Sequence, residues 1–148
     1  MSVKQRVSEL RKKLHMEDLD AMLISNSENR RYLSGFTGSS GYLIVTQKES
    51  TLLTDFRYTE QASNQSPDFT IERIGGNYAW LSNIVQELGI KKIGFESQDL
   101  SFATHILFKD ILNKSTKGDG PPSFIPTDGI VESIRILKDS QELELLTH

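Results

Sequence analysis

The chain has no cysteine among its 148 residues, which excludes disulfide frameworks, cysteine-ligated zinc sites and thiol nucleophiles. Long apolar runs are missing too. Stretches such as Ala21–Ile24 and Tyr42–Val45 stop at four residues, whereas a membrane-spanning helix needs about 20. No apolar h-region follows Met1, so no secretory signal is expected and a cytoplasmic location is. Neither sign of charge is in large excess: 17 Lys and Arg stand against 20 Asp and Glu, a net charge of −3. That balance gives no global footprint for nucleic acid. The one basic cluster, Lys4, Arg6, Arg11, Lys12 and Lys13, reads as the wet face of a helix.

What is present suffices for one folded domain. A chain of this length buries roughly two thirds of its unfolded surface. Its 25% charged residues match an ordinary globular protein and argue against disorder. Ser2 with Gln5 makes a capping box, and Val3, Val7, Leu10 and Leu14 recur at helical spacing, so a helix is predicted over Val3–His15. Strands are predicted at Leu19–Ser25, Tyr42–Thr46, Thr51–Thr54, Phe69–Ile74, Ile93–Glu96 and Phe124-Ile125. The second and third form a hairpin across Gln47–Ser50. Helices are predicted over Asn77–Leu88, stopped by Gly89, and over Ser101–Asn113. Ser25 or Ser27 is the expected cap of a short helix through Arg31–Ser34, and Asp55 of another over Phe56–Ser63. Alternating strands and helices with one hairpin specify an α/β fold with a mixed sheet of about six strands.

Chemistry-bearing residues are few. His15 falls at a predicted helix end, His105 reads as a packed or surface histidine, and His148 is terminal. They supply no recognisable metal-ligand set. Gly35, Gly38 and Gly41 mark the most glycine-dense stretch, Gly35-Phe-Thr-Gly-Ser-Ser-Gly41, and shape a loop. Its spacing fits neither a nucleophile elbow nor a dinucleotide fingerprint. Asp55-Phe-Arg57-Tyr58 follows a strand directly. An Asp two residues before an Arg can orient the guanidinium, which addresses carboxylates with a bidentate fork. The alternative is that Arg57 is a structural tie at the strand end, to Asp55 or to the carbonyl of a neighbouring loop. Hairpin pairing brings Gly41 and Asp55 to one edge.

Three stretches together carry a family resemblance. Asn29-Arg-Arg-Tyr32-Leu-Ser-Gly35-Phe36-Thr-Gly38, then Leu53-Thr-Asp55-Phe-Arg57-Tyr58-x-x-Gln61-Ala62, then Ile134-Arg135-Ile-Leu-Lys138-Asp-Ser-Gln-Glu142-Leu resemble the N-terminal domain of the creatinase/prolidase/aminopeptidase P family. The resemblance implies a ribonuclease-H-like sheet that itself carries no catalytic residue and no metal. It implies a following pita-bread domain holding two divalent metal ions through two Asp, one His and two Glu. It further implies a homodimer, a proline-containing peptide substrate for the longer protein, and a role for this domain at the partner subunit's active site. Phe36, Arg57 and Tyr58 are the expected substrate rim. Asn29, Tyr32 and Asp55 are expected to be structural.

Residues 1–130 are accordingly expected to be the domain proper, and 131–148 a linker with the start of the next domain's first helix. Asp139 with Glu142 makes a fresh capping box followed by Leu143, Leu145 and Leu146, so the segment reads as a helix begun within a longer polypeptide. A free-standing binding or dimerisation module, and the N-terminal domain of a creatinase-like C–N hydrolase, remain as alternatives.

Overall fold

The computed structural model describes residues 1–115 and 120–136. The elements run α1 (Val3–Met16), β1 (Ala21–Ile24), α2 (Ser27–Ser34), β2 (Tyr42–Thr46), β3 (Ser50–Thr54), α3 (Thr59–Gln65), β4 (Thr70–Arg73), α4 (Ala79–Glu87), β5 (Lys92–Glu96), α5 (Phe102–Lys114) and β6 (Ser123–Thr127), with residues 130–136 again helical. The Ser2 capping box forms: Ser2 Oγ accepts from the Gln5 amide at 3.2 Å, and Gln5 Oε1 from the Ser2 amide at 2.7 Å. The expected Asp139 capping box and the leucines after it lie outside the described residues.

The six strands form one sheet in the order β4-β3-β2-β1-β5-β6. β1–β2 and β2–β3 are antiparallel; the other three pairings are parallel. Side-chain alternation assigns the two faces. Met22, Ile24, Leu43, Val45 and Leu52 join α1, α2, α3, Val131 and Ile134 on one side. Ala21, Leu23, Ile44, Leu53 and Ile93 join α4 and α5 on the other. Because β1 is buried on both faces, it reads in sequence as an unbroken apolar run. Val131 and Ile134, each 1% exposed, belong to the core of this same unit.

Two expected helix starts are corrected. The cap of α2 is Asn26, whose Oδ1 accepts from the Asn29 amide at 2.9 Å, not Ser25 or Ser27. Asp55 caps no helix: its carboxylate is taken by Arg57, a turn intervenes, and α3 begins only at Thr59. The pairing pattern has a consequence for function. The C-terminal ends of β1, β3, β4, β5 and β6 and the N-terminal end of β2 all lie along one edge of the sheet. In open α/β sheets that edge is where ligands bind.

Candidate functional site at the carboxyl edge of the sheet

Where β1 and β5 end side by side, a buried carboxylate gathers the chain. Glu96, 7% exposed, accepts from the Ser25 and Asn26 amides at 2.8 and 2.9 Å through Oε1, and from Asn29 Nδ2 at 2.5 Å through Oε2. Burial pushes the Glu96 carboxyl above the ordinary glutamate range; the three hydrogen bonds oppose this, and the neighbouring Glu132 adds to it. Asn29 is 1% exposed and uses both ends of its amide. Nδ2 also donates to Glu132 Oε1 at 2.9 Å, and Oδ1 accepts from Arg135 Nη1 at 3.1 Å. Arg135 reaches on to Glu28 at 3.5 Å. Asn29, which opens the first of the three stretches, and Arg135, near the start of the third, are therefore in direct contact.

The glycine loop is built from the next turn of α2. Gly35 ends the helix in the left-handed region, with φ of 81°, which lets its amide reach the Arg31 carbonyl at 2.8 Å. Phe36 then turns inward and is 1% exposed. A Cβ on Gly38 would lie 2.1 Å from the Phe36 ring, so the loop folds over that ring only with glycine there. Arg30, 4% exposed, holds the loop from beneath. Its Nη1 donates to the Gly41 carbonyl at 2.9 Å and its Nη2 to the Gly38 carbonyl at 3.1 Å. Burial lowers this guanidinium's pKa, with Asp99 pulling the other way.

At the end of β3, Asp55 and Arg57 form a bidentate pair, Nε to Oδ1 at 3.0 Å and Nη2 to Oδ2 at 2.9 Å. Asp55 Oδ1 also takes the Arg57 amide at 3.0 Å. The pairing holds the Asp55 carboxyl below its usual range and raises the Arg57 guanidinium. Arg57 is open to solvent and stands 5.1 Å from the Tyr58 ring centre. The Tyr58 hydroxyl meets Ser39 Oγ at 2.6 Å, and its ring packs edge-on to Phe36 at 6.1 Å. The hairpin thus joins loop and strand end. Of the expected rim residues, Arg57 is exposed and Tyr58 is half-buried, while Phe36 sits in the core behind Tyr58. Arg57 is tied to its own Asp55, one of the two structural ties the sequence allowed. Tyr32 lies back on α2 with the Arg6 guanidinium 4.3 Å above its ring.

Comparison with known proteins decides the family. The Creatinase/Prolidase N-terminal domain matches residues 6–137. The chain belongs to that family. Uncharacterized peptidase YqhT of Bacillus subtilis is 32% identical over 142 residues, which are 95% of this chain and 38% of that protein. The N-terminal domain of cytoplasmic peptidase PepQ from Mycobacterium tuberculosis superposes with a TM-score of 0.77 at 34% identity, covering 87% of this chain and 97% of that one. Xaa-Pro dipeptidase from Bacillus anthracis gives a TM-score of 0.79 at 33% identity, over 90% of this chain but 36% of that enzyme. This creatinase/prolidase N-terminal domain thus spans well under half the length of YqhT and of the dipeptidase. Among its described residues, no three His, Cys, Asp or Glu side chains stand close enough to hold a metal ion. Among the described residues, no helix is long and apolar enough to cross a membrane. His105 is packed, stacking on Phe124 at 5.6 Å.

Sequence reading missed three residues that organise this edge. Glu96 ends the apolar strand segment Ile93-Gly-Phe95, the one available signal of a buried charge, whereas Arg30 lies in the polar run Ser27–Tyr32 and carries no such signal. Asn26 was hidden between two serines with equal capping preference.

Proposed function

We propose that this chain is the non-catalytic N-terminal domain of a cytoplasmic, homodimeric Xaa-Pro metallopeptidase of the aminopeptidase P or prolidase type. In this reading a following catalytic domain holds two divalent metal ions, and the junction follows the 130–136 helix. The carboxyl edge of the sheet, with Arg57, Tyr58 and the Gly38–Gly41 loop, borders the active site of the partner subunit. Phe36 backs Tyr58 from the core.

One observation carries the rim assignment. The glycine loop, the Asp55–Tyr58 turn and three exposed aromatic side chains are gathered on a single edge. Phe56, Tyr78 and Phe102 are 67%, 36% and 78% exposed, and they follow β3, β4 and β5 at that edge. Apolar surface concentrated beside polar recognition groups marks an interaction site. The names of the relatives supply the reaction class. Arg57, oriented by Asp55, keeps Nη1 for a peptide carboxylate, and Tyr58 offers a ring face to a proline. Such contacts orient substrate without entering bond cleavage.

The test is Arg57→Ala in the full-length gene product. A positioning role predicts a drop of roughly 10- to 150-fold in kcat/KM for Xaa-Pro peptides, with bound metal unchanged. Normal kcat/KM per folded molecule removes Arg57 from the rim. A gene product without a metal-binding hydrolase domain overturns the peptidase reading itself.

A further inference from the structure

The segment that follows β6 turns on a glycine and covers a carboxylate. Gly129 lies in the left-handed region, with φ of 73°, and a Cβ there would meet nothing within 4 Å. Residues 130–136 then pack back on the domain, with Val131 and Ile134 in the core. Between this segment and the ends of β1 and β5 is a cavity of about 60 Å³. Glu96, Asp99, Asp128 and Glu132 line it, and no lysine or arginine does.

Asn29 joins the two sides. Its Nδ2 donates to Glu96 Oε2 and to Glu132 Oε1, and one nitrogen holds these oxygens within roughly 5 Å of each other. Two carboxylates so close resist ionising together. Among the described residues, no ion pair includes either of them. Arg135 is engaged by Asn29 Oδ1 and Glu28, and Arg30 by the Ser25, Gly38 and Gly41 carbonyls. These two cations favour an ionised Glu96 from a distance, while Glu132, Asp99 and Asp128 oppose it. On its other side the segment meets Lys13 and Glu17 of α1, one charge of each sign.

Burial acts on the Glu96 carboxyl in the same direction as this crowding, upward. Oε1 already takes the Ser25 and Asn26 amides, so a proton from solvent goes to Oε2, on the Glu132 side. Lifting the segment at Gly129 hydrates Glu96 and withdraws Glu132. Both changes weaken the hold of Glu96 on a proton, so the proton and the seating of the segment are linked.

We propose that Glu96 and Glu132 form a proton-operated latch: a proton on Glu96 holds residues 130–136 against the sheet, and its release loosens them at Gly129. The latch follows from these contacts and does not rest on the peptidase reading. If that reading holds, the latch acts on the junction with the following domain.

The test follows amide exchange in the 148-residue chain. Protection at residues 133–136, corrected for the chemical exchange rate, is compared with that of Leu23 and Ile44 in the core strands. The 133–136 amides should be the less protected at every pH, which marks a local opening. Their protection should fall roughly tenfold between about pH 5 and about pH 8, as Glu96 loses its proton. Glu96→Gln should abolish that fall. Glu132→Gln keeps an acceptor for Asn29 and removes the charge, so it should raise protection at the upper pH by roughly threefold or more. Glu132 is only half-buried, so its variant keeps the test decisive if Glu96→Gln fails to fold. Protection equal to that of the core, protection that is flat or rises with pH, a fall that persists in Glu96→Gln, or no gain in Glu132→Gln would each overturn the proposal.

Discussion

The two halves of the sheet's carboxyl edge use polar residues in opposite ways. At the β1–β5 half, Asn29, Arg30 and Glu96 are all under 10% exposed and bonded to groups distant in sequence, as far as Arg135. At the β3 half, Asp55 and Arg57 bond to each other across two residues, with Asp55 half-buried and Arg57 exposed to water. Both halves carry stretches of the family motif. The first holds chain segments in place, because buried polar groups must find partners. The second leaves donors and an aromatic face available to something outside the domain. A phenylalanine pair shows the same division: Phe36 is 1% exposed and Phe56 is 67% exposed.

Substitutions can break or sharpen this contrast. Phe36→Ala should have the largest effect, a loss of about 3–5 kcal/mol in chemical denaturation, since it empties a core position beneath Gly38 and Tyr58. Asn29→Leu follows at about 2–4 kcal/mol, because it leaves Glu96, Glu132 and Arg135 without their shared partner. Amide exchange in residues 130–136 should accelerate in that variant; unchanged exchange would show that the apolar contacts of Val131 and Ile134 alone hold the segment.

Glu96→Gln should cost about 1–2 kcal/mol at neutral pH, because its new NH2 faces the Asn29 donor. Its pH dependence has a definite sign. Burial raises the Glu96 pKa in the folded state. The linked stabilisation is complete below the unfolded value, about 4.3, and is lost as pH rises through the folded value. The parent's margin over the glutamine variant should therefore shrink as pH rises from 4 through that range, about where the folded Glu96 titrates. A margin that grows instead would mean that hydrogen bonding outweighs desolvation. The smallest effects belong to the open half. Arg57→Ala and Phe56→Ala should each change stability by less than about 0.5 kcal/mol. A loss several times larger would show that the β3 half is architectural too, and the contrast would fail.

Much of this was legible in the residues. Tyr42–Thr46 is a strand with the expected bounds, because its apolar residues face covered layers on both sides and its ends meet Gly41 and a polar turn. The α1 cap was legible because a capping box is local. The strand expected over Leu19–Ser25 is shorter, Ala21–Ile24, since Ser25 leaves the ladder to donate to Glu96. The helix expected from Asn77 begins at Ala79, while Asn77 Oδ1 accepts the Ala79 amide at 3.1 Å. In the site, the Asp55–Arg57 pairing was readable from a two-residue spacing. The burial of Phe36 was not, because an aromatic between glycines carries no periodicity to say which way it points.

By itself, the sequence determined the α/β class, the helix and strand inventory, and the local Asp55–Arg57 pair. Each depends on periodicity, capping or neighbours a few residues apart. Only the tertiary structure decided that Arg30 lies beneath the glycine loop, that Glu96 gathers the β1 end, and that Asn29 touches Arg135. These contacts join residues 8 to 106 positions apart. Their partners become neighbours only when the parallel and antiparallel pairings bring the strand ends to one edge, and no local pattern encodes that convergence.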